Sequence, residues 1–311
     1  MKPKVVIFYD RDGWAFHNIA TECLKHLSDE FEIEIRSAWP RAPKSVRADI
    51  AVLMWYGYHH LFTEVPLGCK KITCFYDESL WTSQRSHFKN ASESVSKSDL
   101  VLGASPHIEE LLKKRFPVSK ILPCYDGVCP AKFPAYPYRS GVLEGKTRLR
   151  VGWTGNSDPS AHGDNKGVHL IKEAASQLTD VDFDINDRFR KKVWTPHDKM
   201  HEWYRDLDLV LCMSRQEGTP NPILEASSSG RAWVSTDVGI VRPLMNSCQT
   251  PHRPGLLISR KTLSLVHAIR YIDQNRSELV KMGSYGRRAV EKEWTWRHRV
   301  EQFRTAIRSL L

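Results

Sequence analysis

The chain has 311 residues, of which 41% are hydrophobic and 26% charged. That balance excludes a disordered chain and suits two domains of about 150 residues each. No run of about 18 apolar residues occurs, so no helix spanning a membrane is expected.

The opening, MKPKVVIFYD, is too short in its apolar part for a signal peptide and reads as a first strand. Seven cysteines occur without a C-x-x-C pair. The only close pairs, Cys69/Cys74 and Cys124/Cys129, have no histidine at zinc spacing, so reduced thiols in a cytoplasmic protein are expected. The net charge of +10 is spread over both halves. It suits polyanionic company: a nucleotide donor, nucleic acid, or an anionic membrane-associated glycan that would keep the protein peripheral to a membrane.

In chain order, Lys4–Tyr9 is an apolar strand ending at Asp10. Asp12-Gly13 makes a turn, and Phe16, Ile19, Leu24 and Leu27 give a helical stripe. Trp14 after the turn suits either packing or the wall of a pocket. Phe31–Ser37 and Ile50–Trp55 read as the next strands. The second of these ends in Trp55-Tyr56-Gly57-Tyr58-His59-His60, which places aromatic and imidazole groups where open α/β sheets bind ligands. Lys71–Phe75 is a strand followed by Tyr76-Asp77-Glu78. Leu100–Ala104 is another, and Ser105-Pro106 opens a helix through Phe116 with Lys113, Lys114 and Arg115 near its end. Lys120–Pro123 closes this half. Pro130–Gly145, rich in Pro, Tyr and Gly, reads as the linker.

The second half starts with a strand over Thr147–Thr154, then Gly155-Asn156-Ser157. A loop carrying His162, Gly163 and Asp164 leads through Lys166-Gly167 into a helix over Val168–Leu178. Val181–Ile185 is a strand, and Thr195–Tyr204 holds Pro196, His197 and Met200. Asp208–Asp237 then reads as strand, loop, helix, strand. Leu209–Met213 is short and apolar. Ser214–Pro222 is broken by Gly218, Pro220 and Pro222. Ile223–Ser229 is helical, with Gly230 as its C-cap. Leu256–Ile258 and Leu263–Asn275 follow as strand and amphipathic helix, and Trp294–Leu311 is a basic terminal segment. Glu217 stands in the broken loop and Glu225 eight positions later in the helix. A carboxylate beside free N–H groups at a helix start holds a polyhydroxylated ligand and leaves the amides for phosphate.

Glu217-Gly218, Glu225-Ala226, Gly230, Asp237 and Gly239 resemble the E-x7-E region of retaining GT-B glycosyltransferases, most nearly the family-4 (group 1) type. Tyr125-Asp126-Gly127-Val128 through Phe133 resembles that family's N-G-V-D…F element, with Asp126 and Cys129 as departures. Gly155-Asn156 with Lys166-Gly167 resembles its G-R-L…K-G phosphate site, with Asn156 at the arginine position. Tyr76-Asp77 stands where relatives carry His-Asp.

The resemblance implies an α/β chain of GT-B fold: two Rossmann-like domains with a cleft between them. Residues 1–140 would form the acceptor-side domain, 147–293 the nucleotide-sugar-binding domain, and 294–311 a helix crossing back. It implies a UDP- or GDP-sugar co-substrate and no other cofactor. Glu217, Lys166, Asp77 and Tyr76 are the implied catalytic residues. Gly13, Trp14, Asn156, Lys166, Gly218, Thr219, Pro220, Asn221 and Glu225 are implied on the donor side. Trp55, Tyr56, Tyr58 and His59 are read as an acceptor platform.

Three D-x-D strings occur, at Asp10/Asp12, Asp182/Asp184 and Asp206/Asp208. Lys166 and helix N-termini are expected to meet the diphosphate instead of a metal. Most members of the resembled family build glycans or glycolipids, so transfer to such a hydroxyl leads. A hydroxymethylated base in DNA follows, because a basic chain suits a polyanion and an aromatic cluster can stack an extruded base. An inactive sugar-nucleotide-binding protein is motivated by Tyr76 and Asn156. An epimerase would need further acid/base residues that the sequence does not display.

Overall fold

The computed structural model describes residues 2–38, 46–118, 120–158, 164–189, 195–248 and 251–311. His162 and Gly163 lie outside them. The chain divides into two compact units, one of Met1–Gly127 with Trp296–Leu311 and one of Val128–Thr295.

The first unit grows from short apolar runs that pair in parallel. Its strands are β1 Lys4–Tyr9, β2 Glu32–Ser37, β3 Ile50–Leu53, β4 Lys70–Phe75, β5 Leu100–Gly103 and β6 Ile121–Pro123. They line up as β2-β1-β3-β4-β5-β6, every pairing parallel. Side chains alternate between faces along a strand. Val5, Ile7, Ile50 and Val52 therefore enter one apolar core, and Val6, Phe8, Ala51 and Leu53 enter another on the opposite face. Both faces are covered, which is why these strands carry unbroken apolar runs. Around them lie helices α1 Ala15–Leu27, α2 Ser79–Ser83, α3 Arg85–Lys97 and α4 Pro106–Arg115, and a 3-10 turn over Tyr56–Thr63. Ser105 caps α4 by accepting the Ile108 N–H at 3.2 Å, with Pro106 in the first turn.

The second unit holds β7 Arg150–Gly155, α5 Val168–Gln177, β8 Asp182–Asp187, α6 Met200–Arg205, β9 Leu209–Cys212, α7 Asn221–Ser228, β10 Ala232–Ser235, α8 Val241–Asn246, β11 Gly255–Leu257, α9 Thr262–Gln274 and α10 Ser277–Ala289. Its sheet is parallel, in the order β11-β10-β9-β7-β8. Helix α7 ends in a Schellman motif: Gly230 has φ 70°, its N–H reaches the Ser227 carbonyl, and the Arg231 N–H reaches that of Ala226.

One stretch departs from the sequence reading. Residues 128–140, read there as the end of the first domain and the start of a linker, group with the second unit. Arginines of that unit take up their carbonyls and those just beyond. Arg287 donates to Phe133 O at 3.0 Å, Arg231 to Pro137 O at 2.9 Å, and Arg276 to Val142 O at 2.8 Å and Thr147 O at 2.6 Å. Arg139 in turn pairs with the buried Asp208. At the other end, Val290–Trp294 continues α10 as a π turn, and α11 Trp296–Arg308 joins the first unit. Val300, Phe303, Ala306 and Ile307 of α11 enter the first core, and Arg304 bonds Glu30 at 2.6 Å and the His26 carbonyl at 2.9 Å.

Candidate active site

In open parallel sheets, ligands bind beyond the C-terminal strand ends where strand order reverses. In the second unit that point lies between β7 and β9, so the loops after Gly155 and Cys212 face it. These loops are fastened to each other. The Asn165 side chain accepts the Gln216 N–H at 3.0 Å and donates to the Gln216 carbonyl at 3.1 Å, while the Asn165 carbonyl accepts the Arg215 N–H at 2.8 Å. Arg260 adds a clamp, donating to Met213 O at 3.0 Å and to the Asp164 carboxylate at 2.8 Å. Gly167 is left-handed, and a Cβ there would sit 2.3 Å from Met213 O. Only glycine allows that approach.

The clamp brings Lys166 and Glu217 together. Lys166 Nζ lies 2.5 Å from Glu217 Oε1, which also accepts the Ser214 hydroxyl at 2.7 Å. The loop then passes beneath Gly239, whose added Cβ would meet Gly218 O at 2.0 Å. It continues through Thr219 and Pro220 into α7 at Asn221, and no side chain caps that helix start. Glu225, one turn in, is buried, with Tyr204 Oη donating to it at 2.8 Å and His197 Nε2 at 3.4 Å. The Glu225 carboxylate holds His197 above the ordinary histidine range, and burial raises the Tyr204 phenol well above its own. Phe133 packs its ring 5.9 Å from both His197 and Tyr204. Asn156 accepts the Asp158 N–H at 3.1 Å, an Asx turn that shapes the loop after β7.

In the first unit, order reverses between β1 and β3. Gly13 (φ 74°) makes the turn after β1, and its N–H is taken by His17 Nδ1 at 2.9 Å. The amide expected to face a ligand is therefore occupied in this structure. Trp14 is 40% exposed beneath the Arg11 guanidinium. After β3, Trp55 lies over Gly57 and meets Tyr58 edge-on at 5.0 Å. Tyr56 departs from the platform reading: it is buried, stacks on Phe75 at 5.3 Å and meets His87 Nδ1 at 3.1 Å. His59 is pinned to α3 by Glu93 at 2.9 Å. Trp55 and Tyr58 remain half-buried at the strand end.

Tyr76 also departs from the expected role. It packs on the first core, with Oη 3.9 Å from the Met54 sulfur. Burial, with Cys124 and Asp126 nearby, pushes its phenol well up, so it stays protonated. The neighbouring Asp77 carbonyl accepts Trp81 Nε1 at 2.7 Å.

Comparison with known proteins agrees with this layout. Residues 166–305 match the family model described as glycosyl transferase-like. No curated protein sequence matches. Sucrose-phosphate synthase from Thermosynechococcus elongatus is similar over 99% of both chains, at 12% identity and TM-score 0.77. Anabaena Alr3699/HepE, solved with UDP and glucose, is similar over 99% of this chain and 100% of its own, at 12% identity and TM-score 0.74. A glycosyltransferase from Rickettsia africae matches 99% of this chain with 98% of its own, at 12% identity and TM-score 0.73. The chain has the GT-B fold.

Within this GT-B chain, the second unit gathers a cation, two carboxylates and a capless helix start at one sheet edge. That set can meet a diphosphate and hydroxyl groups together. Among the described residues no group of three His, Cys, Asp or Glu is placed to hold a metal. The D-x-D carboxylates of this unit face arginines: Asp182 meets Arg148, Asp184 meets Arg150, Asp206 meets Arg205 and Asp208 meets Arg139. Ser214, Tyr204 and Arg260 are site residues that the motif does not mark. Ser214 alone carried a local signal, standing three positions before Glu217 in the same loop.

Proposed function

We propose that the protein is a retaining glycosyltransferase that moves a sugar from a nucleotide-diphosphate sugar to a hydroxyl acceptor. The Lys166–Glu217 pair, with Glu225 on the following helix at the strand-order reversal, is the observation that carries this reading. Lys166 and the Gly218–Asn221 amides would take the diphosphate, Glu225 the ribose hydroxyls and Glu217 the sugar hydroxyls. The bond from the anomeric carbon to the diphosphate oxygen breaks, and the acceptor oxygen bonds to the same face of that carbon. The acceptor proton passes to the leaving diphosphate, whose charge Lys166 stabilises. The protein then supplies orientation and electrostatics more than a strong base, which suits a chain whose Tyr76 hydroxyl points into the first core. The Anabaena neighbour was solved with UDP and with UDP-glucose, so UDP is the first nucleotide to test.

Titration of UDP and GDP, with and without their sugars, into wild type and Glu225→Ala tests the donor assignment. Equal nucleotide affinity in both proteins would remove Glu225 from the site. The anomeric configuration of the product, read by NMR, tests the mechanism, and inversion would refute it.

For the acceptor we favour a glycan or glycolipid hydroxyl. On α4 Ile108 and Leu112 are buried and Leu111 is partly buried, while Phe88, 39% exposed, stacks on the buried Phe116 beyond the helix end. Radiolabelled NDP-sugars offered to plain DNA, hydroxymethylated DNA and a lipid-linked glycan separate the acceptors. Salt-sensitive labelling of hydroxymethylated DNA alone would overturn the glycan assignment. A second reading, a sugar-nucleotide-binding protein without transfer, is favoured by the core-facing Tyr76 hydroxyl and predicts nucleotide binding with no labelled product on any acceptor.

A further inference from the structure

The second unit carries another cavity, whose lining includes neither Lys166 nor Glu217. It is about 250 Å³ in volume and is lined by Ser247, Cys248, His252, Tyr285, Arg288 and Lys292, with Ala289 at its base. Ser247 and Cys248 follow α8, His252 lies just before β11 starts at Gly255, and the other lining residues stand on α10 and its π continuation.

Tyr285, Arg288, Ala289 and Lys292 share one face of α10 and its π continuation, at the i, i+3, i+4, i+7 spacing. Arg288 and Lys292 are thus like charges one turn apart, a repulsive spacing. Among the described residues Arg288 forms no ion pair; its guanidinium lies 4.9 Å from the Tyr285 ring centroid. His252 lies against that ring too, at 4.2 Å between centroids. Lys292 meets Glu293 at 2.9 Å, and the other oxygen of Glu293 meets the Ser247 hydroxyl at 2.8 Å. With one carboxylate against two permanent cations and an imidazole, the cavity has an excess of positive charge. The half-buried Cys248 thiol lies close enough to donate to the Tyr285 carbonyl at 3.6 Å. Burial pushes that thiol up, Glu293 adds to the rise, and Arg288 and Lys292 pull it back.

We propose that this cavity is a second anion site that binds a phosphoryl group through Arg288, Lys292 and His252, with Tyr285 as its wall. Two basic side chains converging on a small concave space suit the tetrahedral oxygens of a phosphate monoester or a phospholipid headgroup. The site is separate from the donor assignment and stands whether or not that assignment holds.

Cys248 provides a local readout that nucleotide bound elsewhere does not move. The full chain is labelled with N-ethylmaleimide and Cys248 modification is followed by peptide mass spectrometry, with Cys129 as the reference thiol. The additions are inorganic phosphate, glucose 6-phosphate, phosphatidylglycerol vesicles, or phosphatidylcholine vesicles. Slowing of Cys248 alone by phosphate or glucose 6-phosphate is expected if the source is soluble, and slowing by phosphatidylglycerol alone if it is a headgroup. The half-protecting concentration should rise about tenfold in Arg288→Ala/Lys292→Ala and stay near wild type in Lys292→Arg. No protection by any phosphoryl probe, equal protection by sodium chloride at matched ionic strength, or unchanged protection in the double variant would each overturn the site.

Discussion

Glu225 shows how a residue legible in sequence acquires partners that are not. Its place eight positions after Glu217 marks it, but Tyr204 and His197 reach it from 21 and 28 positions upstream, and no local pattern announces a contact brought about by packing. The His197 contact has a pH consequence. Glu225 raises the histidine first and Asp198 adds to this, while burial and Lys132 oppose it. A raised histidine contributes stability that is complete below its unfolded value of about 6.5 and is lost as pH rises through the folded value. The gap in thermal stability between wild type and His197→Gln should therefore be widest near pH 6 and close toward pH 8.5. Melting curves across that range check it, and a gap that widens with pH would show that Glu225 does not hold the imidazolium. The Lys166–Glu217 pair was legible to the same degree: both residues were marked, but not their mutual contact. That contact depends on Asn165 and Arg260 drawing two distant loops together.

Among the elements, apolar runs such as Val5–Phe8 and Leu209–Leu211 announce buried strands directly. The helices that the sequence conceals are those with little to bury or with glycines inside. Helix α3 buries only Ala91, Ser94 and Val95, and its link to the sheet is polar, with Thr73 Oγ1 bonded to Ser94 at 2.9 Å and Ser98 at 2.8 Å. Helix α10 contains Gly283 and Gly286, which weaken its signal. They are there because the Gly230 carbonyl and Ser227 press against them, at 2.0 Å and 3.1 Å from an added Cβ. The Pro- and Tyr-rich stretch around 130–145 reads as a linker because its anchoring lies elsewhere in sequence. Arg231 is its clearest anchor: fully buried, it donates to the carbonyls of Tyr204, Arg205 and Pro137 and covers the Tyr138 ring. Arg231→Met would strip buried acceptors of their donor, at about 1–3 kcal/mol for each group left unsatisfied. A fall in melting temperature of roughly 4–8 °C is expected for a loss of about 2 kcal/mol in a unit of this size. A shift within 1 °C, measured by calorimetry, would mean that the stretch is held by other contacts.

At the scale of the whole molecule, the chain leaves the first unit after Gly127 and re-enters it at Trp296. The two crossings lie together, joined by a parallel bridge between Val128 and Thr295. The return was legible as a basic segment opening on Trp294; its destination rests on the apolar residues it carries between the charges. Phe303 sits 2% exposed in the first core beside Val300 and Ile307. Phe303→Ala should cost about 3–5 kcal/mol, the usual penalty for emptying a large buried ring site. Because each unit has its own core, that loss belongs to the first unit, whereas a nucleotide bound at Lys166 and Glu225, as proposed, would stabilise the second by mass action. Calorimetry on wild type and Phe303→Ala, with and without UDP, separates the two effects. The substitution should lower a transition that UDP leaves in place, and UDP should raise a transition that the substitution leaves in place. A single transition moved by both would mean that the units unfold together. A UDP shift confined to the transition lowered by Phe303→Ala would place nucleotide on the first unit and overturn the donor assignment.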